Sequence, residues 1–163
     1  EERKFENLTH SIDEKGNETF SNNSRTLTVQ KLFDEFLIKL DGNLYCSIKN
    51  ENALNNTSIK VFYSEKTKNW CVLTSEGNGA LIIPSKGSIK ISLEKQINLE
   101  SVAFYNDRLY IPEDKKLVIL EIITKITKQM ECNLITADSK IFDVNKQGFF
   151  VNTETNIYNV HQI

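Results

Sequence analysis

The apolar positions along the chain change period twice. Val29, Leu32, Phe33, Phe36, Leu37 and Leu40 recur at i, i+3, i+4, i+7, i+8 and i+11, which predicts an amphipathic helix over 29–40. Thr28 suits its N-cap, and Gly42 stands just past its end as a left-handed stop. Downstream the period falls to two. Leu44, Cys46 and Ile48 alternate with Tyr45, Ser47 and Lys49, and Ile59, Val61 and Tyr63 alternate with Lys60 and Phe62. Segments 70–74, 80–83, 89–93 and 97–105 continue the series. Asn55-Asn56, Lys68-Asn69, Glu76-Gly77-Asn78-Gly79 and Lys86-Gly87 supply hairpin-type turns between them. Strands at a spacing of roughly 10 residues predict an antiparallel meander, one face of which the helix covers.

In the last third, Ile119, Ile122, Ile123, Ile126 and Met130 share one helical face over 115–130. Strands follow at 133–136 and 141–144, then a turn Asn145-Lys146-Gln147-Gly148, a strand at 149–151 and a short closing segment with Ile157, Tyr158, Val160 and Ile163. Residues 1–25 show no apolar period and read as a flexible polar arm. The expected fold class is therefore α+β. An N-terminal helix packs on an antiparallel β-meander (26–105), and a small βαββα unit (106–163) joins it in one globule.

Composition narrows the function. The chain has 163 residues, 39% hydrophobic and 26% charged, enough for a real core and too apolar for general disorder. The net charge of −2 resides in the polar arm, so a large basic face for nucleic acid is not expected. No stretch approaches the ~20 apolar residues that cross a bilayer, although a membrane anchor upstream of residue 1 fits the reading. Asn is abundant, so Asn-x-Ser/Thr triplets such as those at Asn17 and Asn22 carry little weight.

Candidate chemistry is sparse. The two histidines, His10 and His161, have no spaced metal-ligand partner, and no glycine-rich phosphate loop is present. No catalytic residues, no cofactor and no enzyme activity are expected. One stretch has calcium-loop spacing: Asp143, Asn145 and Gln147 at positions 1, 3 and 5, Gly148 at 6 and Glu154 at 12. Its competing reading is a turn between two strands. Cys46, Cys71 and Cys132 lie in no Cys-x-x-Cys pair. Either all three are buried thiols in a cytosolic protein, or Cys46 and Cys71, both in expected strands, form a disulfide in an oxidising compartment. Closing that loop of roughly 25 residues would add about 3 kcal/mol.

Residues Leu109-Tyr110-Ile111-Pro112, followed by the apolar run 117–126 and then Met130 to Ile135, resemble the short N-terminal domain of bacterial secretins and TonB-dependent receptors. The resemblance implies a periplasmic βαββα docking module with no catalytic residues. It also fits periplasmic domains of membrane-bound virulence regulators. The function expected is a non-enzymatic bacterial module outside the cytoplasm, acting through protein–protein interaction in an envelope assembly such as a secretion or pilus apparatus. Its partners are other envelope proteins, reached through strand edges such as 89–93 or 149–151. The alternative is a periplasmic ligand-sensing domain, with Phe62, Trp70 and Phe104 lining a pocket for a small apolar ligand. A cytoplasmic protein is the remaining setting.

Overall fold

The structure, a computed structural model, describes residues 8–50, 57–153 and 156–161. Its described residues contain no helix; they form sixteen strands in four antiparallel sheets, each a meander of consecutive strands. Sheet I contains β1 (Thr9–Ile12), β2 (Glu18–Ser21), β3 (Thr26–Lys31), β4 (Glu35–Leu40) and β5 (Asn43–Lys49). Sheet II contains β6 (Ile59–Tyr63), β7 (Trp70–Thr74), β8 (Asn78–Ile83) and β9 (Gly87–Ser92). Sheet III contains β10 (Ala103–Tyr105), β11 (Arg108–Glu113), β12 (Lys116–Glu121) and β13 (Ile126–Glu131). Sheet IV has β14 (Lys140–Phe142), β15 (Gly148–Asn152) and β16 (Ile157–His161). The chain divides into two compact units after Gln96. Sheets I and II belong to the first unit, and III and IV to the second.

The α+β expectation is overturned, and the physical reason is the same at both supposed helices. Over 29–40 the helical stripe competes with an equally good period of two. Leu27 and Val29 on β3 face Leu40 and Ile38 on β4, and all four are buried, while Phe33 at the hairpin tip is 75% exposed. Gly42 does supply a left-handed conformation, but in a hairpin. Asp41 and Gly42 have φ of 51° and 84° and join β4 to β5, the Asp-Gly turn chemistry that suits the twist of paired strands. Over 115–130 the chain folds into the hairpin β12–β13, with Leu117 opposite Met130 and Ile119 opposite Lys128. The isoleucines that crowd a helix favour the pleated surface. Lys125, at φ 63°, turns the chain and donates its N–H to the Glu121 carbonyl at 2.8 Å. The Glu121 carboxylate accepts from Thr124 Oγ1 at 2.8 Å and from Arg108 Nε at 3.3 Å, and these hydrogen bonds hold it below the usual carboxylate range.

Other boundaries move for similar reasons. The described part of the supposed polar arm carries β1 and β2, with Phe20 buried opposite Leu27. The boundary expected near residue 106 falls inside sheet III, because Asn106 and Asp107 (φ 52° and 63°) form the β10–β11 turn. The strands expected from alternation at 44–48, 59–63, 70–74, 80–83 and 89–93 lie within or overlap β5 to β9.

Within each unit two sheets stack face to face. In the first, Leu27, Val29, Phe36, Ile38 and Leu40 of sheet I pack against Val61, Trp70, Val72, Ala80 and Ile82 of sheet II. A bulge between Ile38 and Lys39 of β4 and the facing stretch of β5 lets Tyr45 and Cys46, although consecutive, both reach this core. Tyr45 Oη then accepts the Ser85 N–H at 2.9 Å, tying β5 to the β8–β9 turn. In the second unit Tyr110 and Leu117 of sheet III meet Ile141, Phe149 and Val151 of sheet IV, with the rings of Tyr110 and Phe149 5.6 Å apart and tilted.

Substitution separates the two readings of 29–40. Ile38→Ala, off the helical stripe but fully buried between the sheets, is expected to cost about 2–5 kcal/mol in urea unfolding. Phe33→Ala, on the stripe but exposed, is expected to stay within ~0.5 kcal/mol. A reversal of this order would restore the helix.

Candidate functional site

Two edge strands of the first unit, β5 of sheet I and β9 of sheet II, border a groove of about 620 Å3. The lining includes the buried side chains of Ile48 and Ile91. Charged and polar groups come from several strands: Asp34 and Glu35 at the start of β4, Ser47 and Lys49 of β5, Asn78 of β8, and Lys90 and Ser92 of β9. Glu35 lies directly opposite Lys49 in the ladder, yet neither forms an ion pair with a described residue. Gly79 also lines the groove, and a Cβ there would collide with the Val72 carbonyl of β7. That close approach fixes why glycine stands at this position. The arrangement offers carboxylates, ammonium groups, hydroxyls and two strand edges, the donors and acceptors that an extended peptide needs.

The residues singled out in the sequence do not converge on this groove. Strand alternation sends Trp70 and Val72 toward sheet I, and therefore sends Phe62 and Cys71, cross-strand partners, to the opposite face of sheet II. Phe62 and Trp70 are both buried, on different faces, and Phe104 lies on β10 of the second unit. None of the three lines the groove.

The disulfide between Cys46 and Cys71 is corrected by the same geometry. Neither cysteine forms a disulfide. Cys46, opposite Ile38, points into the core between sheets I and II, whereas Cys71 points out of the other side of sheet II. A whole sheet separates the side chains, and no rotamer change bridges that. Burial pushes the Cys46 thiol up, against a smaller opposing effect of its hydrogen bond with Ser88. It is a poor nucleophile at neutral pH.

The calcium-spaced stretch forms the β14–β15 turn. Asn145 Oδ1 accepts the N–H groups of Gln147 (2.8 Å) and Gly148 (3.2 Å), so this oxygen closes the turn. Asp143 sits at φ 52° just after β14, and Glu154 lies outside the described residues. Among the described residues no three His, Cys, Asp or Glu side chains gather as a metal site. His10 pairs with Glu18 at 2.7 Å and stacks on Phe20 with centroids 4.3 Å apart, which secures β1. The groove itself left little trace in the sequence. Its sole signal was the pair of lysines on short alternating strands, and such lysines commonly protect edges.

Alkylation under denaturing conditions is expected to modify Cys46, Cys71 and Cys132 equally with and without reductant, read by intact mass. In the folded protein Cys71 is expected to react slowest, and Cys46 to speed up as pH rises. A mass difference that depends on reductant would overturn the opposite-face placement. In comparisons with known proteins, the chain matches no family model, no curated relative and no solved structure.

Proposed function

We propose that this chain is a non-enzymatic binding module that acts through protein–protein contact, taking an extended segment of a partner into the groove between β5 and β9. The observation that carries the reading is the groove itself. It lies beside two edge strands, and its charges of both signs include Asp34, Glu35 and Lys49, none of them in an ion pair with a described residue. Strand addition draws affinity from main-chain hydrogen bonds and specificity from alternate side chains. The β9 edge is one of the two expected from the sequence. The other, at 149–151, falls on β15, the central strand of sheet IV.

The envelope setting loses its redox argument with the Cys46–Cys71 bridge. It now rests on the secretin and TonB-receptor resemblance, whose helix position is occupied by the β12–β13 hairpin. The proposal accordingly concerns the mode of contact, with an envelope partner one case of it.

Affinity selection from a random-peptide phage library tests it. Recovered peptides are expected to carry both an acidic and a basic residue, and to lose at least about tenfold in affinity, ~1.4 kcal/mol, on Lys49→Glu or Glu35→Lys. Enrichment of no peptide, or binding indifferent to both reversals, would overturn the reading.

A further inference from the structure

Sheets I to III have five, four and four strands, whereas sheet IV has three. Among the described residues its last strand, β16, is an edge, and it carries no Lys, Arg, Asp or Glu: Ile157, Tyr158, Asn159, Val160 and His161. That sets it apart. Edge strands are ordinarily protected by lysine or by being short. β5 carries Lys49, β6 Lys60, β9 Lys90, β13 Lys128 and Glu131, and β14 Lys140, while β1 and β10, edges without Lys, Arg, Asp or Glu, have four and three residues. Among the described strands β16 is the longest edge left without such protection.

The ladder shows which groups this edge presents. Thr153 N–H donates to the Asn156 carbonyl at 2.8 Å, which makes 153/156 a hydrogen-bonded pair. Pairs of this kind alternate in an antiparallel ladder, so the next ones are Val151/Tyr158 and Phe149/Val160. The N–H and C=O of Ile157, Asn159 and His161 consequently point away from β15, toward the open edge. Side chains continue the logic. Tyr158 and Val160 lie on the core side of sheet IV, and both are only half-buried there, as is Met130 of β13. The core of this unit runs out at β16.

We propose that β16 is a dimer seam, pairing antiparallel with β16 of a second copy of this chain about a two-fold axis at Asn159. In that register Asn159 faces Asn159 of the second copy, and Ile157 faces its His161. The outward N–H and C=O groups of all three residues then bond reciprocally. Tyr158 faces Val160 of the second copy on the core side, an aromatic and β-branched cross-strand pair. The strand is self-complementary, as a two-fold interface requires. The two sheets IV become one continuous six-stranded sheet, three strands from each copy. The seam is independent of the peptide groove, which lies in the other unit.

Light scattering over a dilution series of the full chain tests the seam. The wild type is expected to show twice the chain mass at high concentration and to dissociate on dilution. Asn159→Pro removes an outward N–H and leaves the β15 ladder intact, a position where an edge strand tolerates proline. This variant is expected to remain folded by circular dichroism and to associate at least about tenfold more weakly. As a second variant, Asn159→Cys places two thiols in a hydrogen-bonded pair with Cα atoms ~5.5 Å apart, within disulfide reach. It is expected to form a covalent dimer on oxidation that the wild type does not. A wild type that stays monomeric throughout, or a dimer indifferent to Asn159→Pro, would overturn the proposal. So would an Asn159→Cys protein that does not crosslink.

Discussion

Everything in this molecule depends on one constraint: a meander sheet has two faces, and a stable one must bury at least one of them against another layer. In the first unit the rows Leu27–Leu40 of sheet I and Val61–Ile82 of sheet II meet that demand together. Neither row is stable in water alone, since each fully buried aliphatic side chain contributes about 1.5–3 kcal/mol only when it is covered. Ladder hydrogen bonds fix the register, and register decides which residues belong to the row. The second unit repeats the solution with Tyr110 and Leu117 against Ile141, Phe149 and Val151.

Building in meanders has a consequence for function. Among the described residues, consecutive pairing leaves the first and last strand of every sheet with a neighbouring strand on one side only. The chain deals with most of these edges by placing lysine on them, as at Lys49, Lys60 and Lys90. Where two such edges border one groove, β5 and β9, charged groups of both signs line it. At β16 the protection is missing. Both proposed contact surfaces therefore lie where strand pairing stops.

Some of this was legible in the residues, and the reason is local. The alternation over 59–63 and 70–74 admits one reading, because neither segment offers a competing helical period. Gly77 (φ 91°) and Gly87 (φ 142°) mark turns by their backbone requirements, whereas Asn78 and Gly79, read as part of the same turn, already belong to β8. The stretch 29–40 is different. Phe36, Leu37 and Leu40 belong to a helical stripe, while Phe36, Ile38 and Leu40 form a strand face, and both patterns share most of their members. Gly42 does not discriminate, since a helix stop and a hairpin turn both ask for positive φ. The hairpin wins because β3 and β5 are available as partners on either side of β4, with Val29 and Cys46 both opposite Ile38.

By itself the sequence determined the strand segments that no helical period contests, the turn residues that demand left-handed backbone, and the distribution of charge over the edges. These follow from steric and solvation preferences of single residues and their near neighbours. Only the tertiary structure decided which period prevails at 29–40 and 115–130, and which face each residue occupies. Cys46 and Cys71 both sit in strands, as expected, yet a sheet lies between them. Facing is a property of pairing across the chain, and local pattern carries no information about the partner strand.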